Sequence, residues 1–112
     1  MTEEEIKDII QKSINDTHKC SIDDEIDISY IEINKIKYAI YQRYDGSQWP
    51  LVFFMNLSTT EVIEIDHQLK GGPLEIKSEG EYILMRGRLW GQGTINDWYK
   101  YSIDEPYVIG HV

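Results

Sequence analysis

The chain places its single cysteine two residues after a histidine, and this pair is the first candidate for chemistry. His18 and Cys20 could bind a metal ion, or could act as a general base and a nucleophilic thiol. A structural zinc site needs four ligands, whereas the other histidines, His67 and His111, lie far away in sequence. A reactive thiol needs a positioned base and surroundings that lower its pKa, and the acidic residues after Cys20 favour the opposite. We therefore expect neither a metal site nor a catalytic cysteine.

A run of carboxylates follows the cysteine and could suggest a calcium loop. It consists of Asp23, Asp24, Glu25 and Asp27. The calcium loop of an EF-hand alternates oxygen ligands and needs a central glycine and a terminal glutamate. This run contains no glycine and leads into a predicted strand. We interpret it as a solvated acidic segment and expect no metal ion and no cofactor.

Two of the three arginines form the next candidate site. Arg86 and Arg88 are two positions apart on a predicted strand, so they share one face of a sheet. Trp90 lies on the same side, and Trp98 lies in the following predicted strand. Such a set could bind a phosphate, a carboxylate or a sugar, although pairing with the protein's own carboxylates is the simpler interpretation. A binding site of this kind would need a concave pocket.

Most of the negative charge lies in the first third of the chain. Residues 1–33 hold ten of the twenty carboxylates but only three of the eleven basic side chains, which leaves −7 of the formal −9 in this segment. An acidic pole on a small protein attracts a basic partner and repels nucleic acid and membrane surfaces. We therefore expect a protein partner with a basic surface, such as a nuclease or a toxin, and no direct contact with nucleic acid or membrane.

The composition is that of an ordered domain without disulfides. The 112 residues are 41% hydrophobic and 12% aromatic, which suffices for a core. One cysteine cannot form an internal disulfide, and three of the first five residues are glutamates where a secretory signal is basic. The longest apolar run, residues 51–55, is too short to span a membrane. We expect a cytoplasmic protein with a single domain over residues 1–112.

The strongest local pattern is an amphipathic helix over about residues 2–15. Thr2 and Glu5 have the spacing of a capping box at its start. One face of this helix carries Ile6, Ile9, Ile10 and Ile14. Because this apolar stripe is narrow, we expect the helix to pack by one side only.

From residue 25 to residue 110 the hydrophobic period is two, as in short strands. Asn34-Lys35 and Glu79-Gly80 predict tight turns, and Gly71-Gly72-Pro73 predicts a break. Residues 58–70 fit a strand or a short helix; the β-branched residues favour a strand, and the alternative stays open. Short connections favour antiparallel pairing. The sequence therefore predicts an α+β fold, in which the helix packs on a curled antiparallel meander of six to eight short strands.

Aromatic residues supply candidate contacts for a protein partner. Tyr38, Tyr41 and Tyr44 lie in one predicted strand at positions that face opposite ways, so we expect part of this tyrosine surface to be exposed. The predicted partner-binding set combines steering carboxylates with anchoring rings. It consists of Asp23, Asp24, Glu25, Asp27, Tyr41 and Trp49.

The leading hypothesis is a small acidic protein without enzymatic activity that binds and blocks a basic functional surface of a partner. Immunity proteins and phage inhibitors of host defence have this general character. One alternative is a small-molecule or carbohydrate-binding module that uses Arg86, Arg88, Trp90 and Trp98. Another is a self-associating structural subunit, for example a homodimer paired through the terminal strand. An enzyme is not favoured, because no nucleophile, base or phosphate-loop pattern is recognisable.

Overall fold

One helix and eight strands make up the described part of the chain. The computed structural model describes residues 2–17, 28–43, 50–89, 97–104 and 108–111. In chain order the elements are α1 (Glu3–Thr17), β1 (Ser29–Ile33), β2 (Ile36–Arg43), β3 (Leu51–Asn56), β4 (Val62–Glu64), β5 (Leu69–Glu79), β6 (Tyr82–Leu89), β7 (Trp98–Ser102) and β8 (Val108–His111).

Helix α1 confirms the predicted amphipathic helix and its cap. The backbone N–H of Glu5 donates to Thr2 Oγ1 at 3.2 Å, and the backbone N–H of Thr2 donates to Glu5 Oε1 at 3.4 Å. This reciprocal pair satisfies donors that the first helical turn leaves unpaired. Ile6, Ile10 and Ile14 are fully buried along one stripe. The helix extends to Thr17, two residues beyond the predicted end.

The first sheet has the strand order β1-β2-β3-β4, and every pair is antiparallel. Asn34 and Lys35 form the turn between β1 and β2 with φ values of 50° and 68°. Two consecutive positive φ values are the signature of a two-residue type I′ hairpin, which matches the twist of the flanking strands. The segment over residues 58–70 is a turn followed by strand β4 and the start of β5, which confirms the strand interpretation.

The second sheet has the order β5-β6-β7-β8 and is also antiparallel. Gly71-Gly72-Pro73 does not break the chain as predicted. It lies inside the continuous strand β5, where the pairing register with β6 shifts between Lys70 and Glu75. A bulge accommodates glycines and a proline because it interrupts the hydrogen-bond ladder without ending the strand. The turn into β6 centres on Gly80, with φ 61°.

The elements stack in three layers, with the first sheet between α1 and the second sheet. One core cluster joins α1 to the first sheet through Ala39, Tyr41, Phe53 and Met55. The other lies between the sheets and joins alternate residues of β2 and β3, such as Tyr38 and Phe54, to residues of β6 and β7, such as Met85 and Tyr101. The α+β class with a helix on antiparallel strands is confirmed. The strands divide into two sheets, whereas the sequence predicted one curled meander.

A side-chain amide links the two sheets where β5 bulges. Gln42 Nε2 donates to the Leu74 carbonyl oxygen at 2.8 Å, and the Leu74 N–H donates to Gln42 Oε1 at 2.7 Å. The amide of Gln42 thus takes the place of a neighbouring strand for one residue of β5. At the turns, the Asn34 N–H also donates to the Gly80 carbonyl oxygen at 3.3 Å.

Candidate functional site

Helix α1 presents carboxylates to solvent while its isoleucines pack on the first sheet. Glu3, Glu4 and Asp8 are exposed, and we call these three residues the acidic helix surface. Glu5 is exposed as well, but its carboxylate accepts hydrogen bonds from Thr2 in the capping box. Carboxylates in the first turn also interact favourably with the helix dipole.

Several predicted site residues lie outside the described residues. They are Asp23, Asp24, Glu25, Asp27, Trp49 and Trp90, and their roles in binding stay predictions. His18 and Cys20, for which neither a metal site nor a catalytic role is expected, also lie outside the described residues.

Tyr41, predicted as a partner contact, is instead a core residue. Its side chain is 0% exposed and packs with Phe53 and Met55 in the cluster under α1. Tyr38 is 5% exposed and packs on the opposite face of β2, between the sheets. Both faces of β2 are therefore covered, one by the helix and one by the second sheet. Among the described tyrosines, Tyr30 on the edge strand β1 has a large exposed fraction, 53%.

Arg86, Arg88 and Trp98 share the outer face of the second sheet, as their spacing predicts. Arg86 pairs with Trp98 across β6 and β7. Alternate residues of β6, such as Met85, face the inter-sheet core. The same outer face carries five basic side chains, at Lys70, Lys77, Arg86, Arg88 and Lys100, against two carboxylates, at Glu75 and Glu79. We call these five basic residues with Trp98 the basic face.

The basic face is largely held together by its own contacts. Arg86 forms a salt bridge with Glu75, the partner that the simpler interpretation of the sequence expects. Lys77 Nζ lies 4.2 Å from the centroid of the Trp98 ring, and Arg86 Cζ lies 5.5 Å from it. Such cation–π contacts fix the cations on the sheet surface. Because these cations occupy the surroundings of the indole, sugar stacking on Trp98 has little support, and the ligand-binding alternative stays a prediction.

A cavity of about 520 Å³ lies where β3 begins and β4 ends, and we call it the β4–β5 cavity. Its lining includes Pro50, Leu51, Glu64, Ile65, Asp66 and His67. Ile65 is buried and Leu51 is partly buried, whereas Asp66 is exposed. The volume lies in the usual range for ligand pockets. The cavity therefore combines apolar walls with two carboxylates.

His67 forms part of the wall of this cavity and is 4% exposed. The Leu69 N–H donates to His67 Nδ1 at 2.8 Å, and His67 Nε2 lies 2.5 Å from the Pro50 carbonyl oxygen, to which it donates in this arrangement. This imidazole is therefore neutral, and both of its ring nitrogens take part in hydrogen bonds. Burial lowers the pKa of His67, although the Pro50 carbonyl and the nearby carboxylates of Asp66 and Glu64 act in the opposite direction.

The sequence pattern gave no sign of this role for His67. Its contact at Pro50 is 17 residues away, and the Tyr101 hydroxyl, which donates to the His67 carbonyl oxygen at 2.6 Å, is 34 residues away. Burial raises the pKa of Tyr101 and favours its protonated, donating form. These bonds fix the connection between β4 and β5. With both nitrogens occupied, His67 has a structural position and is not poised as a general base.

The described ranges hold no group of three or more histidine, cysteine, aspartate or glutamate side chains that could bind a metal ion. In the same part of the chain, no helix combines the length and apolarity needed to cross a bilayer. Comparisons with protein-family models, with curated proteins and with solved structures find no match for this chain. Its function is therefore inferred from its own charges, cavities and contacts.

Proposed function

We propose that this protein is a non-enzymatic binding protein, which docks its acidic helix surface on a basic surface of another protein and blocks that surface. The observation that carries the proposal is the separation of charge by layer. The acidic helix surface lies on one side of the first sheet, and the basic face lies beyond the second sheet. An immunity or anti-defence inhibitor is the biological setting that such a surface fits.

The layered fold keeps the cations of the basic face away from the acidic helix surface, and the lysines close to that surface are Lys7 and Lys12 on α1 itself, four residues after Glu3 and Asp8. Stacked layers lie about 10 Å apart, so α1 and the second sheet are about 20 Å apart. This is about twice the distance over which salt screens exposed charges at 0.1 M. The cations of the basic face therefore do little to neutralise Glu3, Glu4 and Asp8.

The net charge of the whole chain also favours association with a basic partner. A net charge of −9 on a 112-residue chain attracts a basic partner from any direction. The carboxylates of the acidic helix surface then favour encounters in which α1 faces the partner. Such electrostatic steering raises the association rate constant more than it lowers the dissociation rate constant. Binding should therefore weaken as salt is added.

Two triple variants with the same net charge test whether the partner binds at the acidic helix surface. Glu3→Gln/Glu4→Gln/Asp8→Asn removes the acidic helix surface and keeps Glu5 for the cap. Glu61→Gln/Glu81→Gln/Asp104→Asn removes three exposed carboxylates elsewhere. Each variant serves as bait in a lysate of the source cells, and association with the captured partner is then measured by surface plasmon resonance at low and high salt.

We expect the wild-type protein and the second variant to capture the same basic protein. The helix variant should associate with it about tenfold more slowly at low salt, within the range that steering supplies. The partner's own activity should fall when the wild-type protein is added. Equal rate constants for the two variants would refute docking by the helix, and a rate constant independent of salt would refute steering altogether.

A further inference from the structure

Two edge strands lie side by side where the stacked sheets meet, β1 of the first sheet and β5 of the second. Near the turns, the N–H of Asn34 donates to the carbonyl oxygen of Gly80. Within the described residues, no other backbone hydrogen bond joins these two strands. An edge strand without a neighbour presents backbone donors and acceptors that can pair with a further strand.

The backbone groups of Leu74 show which way the open edge of β5 points. Its N–H and its carbonyl oxygen both bind the side-chain amide of Gln42, not β6. Backbone direction repeats every second residue along an antiparallel strand, and the side chains of Leu74 and Ile76 both pack into the inter-sheet core. The N–H and C=O groups of Ile76 and Ser78 therefore face the same edge, and they have no backbone partner among the described residues.

A cleft of about 370 Å³ opens between these edges, and we call it the β1–β5 cleft. Its apolar wall comes from side chains of the inter-sheet core, which are Ile31, Ile40, Leu74 and Ile76. The described residues that line it include no carboxylate, and their one cation, Lys77, has its amine 4.2 Å from the centroid of the Trp98 ring. These features favour an occupant with backbone amides and apolar side chains over an ion.

We propose that the β1–β5 cleft binds an extended segment of a protein partner, which adds to β5 as a further antiparallel strand. The backbone of this segment pairs with Ile76 and Ser78, and its alternate apolar side chains enter the cleft. The amide of Gln42 supports this occupant, because it already makes at Leu74 the two bonds that one residue of an added antiparallel strand makes. The cleft is separate from the acidic helix surface, since α1 packs on the other face of the first sheet.

A neutral peptide tests the cleft by itself. The full chain, labelled with ¹⁵N, is titrated with acetyl-Thr-Val-Thr-Val-Thr-amide and with two versions of it, N-methylated either at both valines or at the outer threonines. In an antiparallel addition, the residues whose side chains enter the cleft also direct their N–H groups at β5.

We expect the peptide to shift the amide signals of Ile76 and Ser78. Methylation of the valines should weaken binding about tenfold or more, because it removes two hydrogen bonds, whereas methylation of the threonines should have little effect. Equal losses from the two methylations, a loss from the threonines only, or shifts in other strands only would refute strand addition.

Substitutions at Ser78 separate the backbone from the side chain. Ser78→Pro removes an N–H that faces the open edge, where proline leaves the pairing with β6 intact, and it should weaken peptide binding about fivefold. Ser78→Ala keeps that N–H and should bind as wild type does, so equal affinities of the two variants would refute the site. Gln42→Met provides a second measurement if Ser78→Pro folds poorly. It frees the backbone of Leu74, whose amide signal should then shift more with the peptide than in wild type, and equal shifts would contradict a continuous added strand.

Two further measurements identify the source of the strand. The peptide should displace the partner that the wild-type chain captures, and no displacement would overturn a partner segment as the occupant. Light scattering should show that the chain alone is a monomer, because a dimer that the peptide dissociates would mean that a second copy supplies the strand. The variant Glu3→Gln/Glu4→Gln/Asp8→Asn should bind the peptide as wild type does, so failure of docking by the helix and failure of the cleft are observed separately.

Discussion

The amide of Gln42 is expected to contribute measurably to the attachment of the two sheets. It makes two hydrogen bonds, at 2.8 Å and 2.7 Å, to the backbone of Leu74, at the bulge where β5 shifts its register with β6. Gln42→Met keeps the length and much of the apolar stem but removes both bonds. The N–H and C=O of Leu74 are then left without this partner.

The expected loss follows from these two bonds. Each is worth about 1 kcal/mol net, and a deeply buried unpaired group would cost about 1–3 kcal/mol. Because the contact is only partly buried, water can replace part of it. We therefore expect Gln42→Met to lower the free energy of unfolding by about 2 kcal/mol. At about 4 °C per kcal/mol for a chain of this size, the midpoint of thermal unfolding should fall by about 8 °C.

Urea unfolding followed by tryptophan fluorescence and by circular dichroism measures this loss. A second variant, Gln42→Glu, can still accept from the Leu74 N–H but cannot donate to its carbonyl oxygen at neutral pH. Acidification restores an O–H donor, so the difference between Gln42→Glu and wild type should shrink at low pH, whereas that of Gln42→Met should not. A loss below about 0.5 kcal/mol for Gln42→Met, with an unchanged dependence on urea, would refute the reasoning, since water would then replace both bonds.

Two further predictions concern the cores. Burial holds the pKa of folded His67 below its ordinary value of 6.5, so the unfolded chain takes up the proton first as pH falls. The stability that His67 contributes is therefore complete above pH 6.5 and is lost below it, by up to about 1.4 kcal/mol per pH unit. Urea unfolding of His67→Gln should show a flatter pH dependence between pH 7.5 and 5.5 than wild type, and parallel curves would contradict this. A Cβ at Gly87 would lie 3.1 Å from both Leu69 Cβ and Leu74 Cδ2, so Gly87→Ala should cost about 1 kcal/mol in the same assay, and unchanged stability would show that β5 moves aside.

Local patterns were sufficient for most of the local structure, although the break predicted at Gly71-Gly72-Pro73 was wrong because these residues lie inside β5. The capping box at Thr2 and Glu5 and the isoleucine stripe of α1 lie within single turns of the chain, and both are confirmed. The hairpin at Asn34-Lys35 is confirmed for the same reason, because a two-residue turn depends on the residues in it. The shared face of Arg86 and Arg88 follows directly from the alternation of a strand.

Predictions of which side chains are exposed were less successful, because exposure depends on what packs against each face of a sheet. Alternation in β2 puts Tyr38 and Tyr41 on opposite faces but does not show whether each face is covered. The helix covers Tyr41 and the second sheet covers Tyr38, so both are buried. The division of the strands into two sheets decides this burial, and it arises from contacts between residues far apart in sequence.

The sequence by itself determined the helix, the alternating strands and the net charge of −9, because spacing along the chain and ionisation are properties of neighbouring residues. Tertiary structure alone decided three other features: the burial of Tyr41, the two bonds that hold the ring of His67, and the cavity beside Glu64 and Asp66. Each of these depends on which surfaces pack together. The packing of helix and sheets buries apolar area from many parts of the chain at once. It therefore cannot be predicted from any single stretch of the sequence.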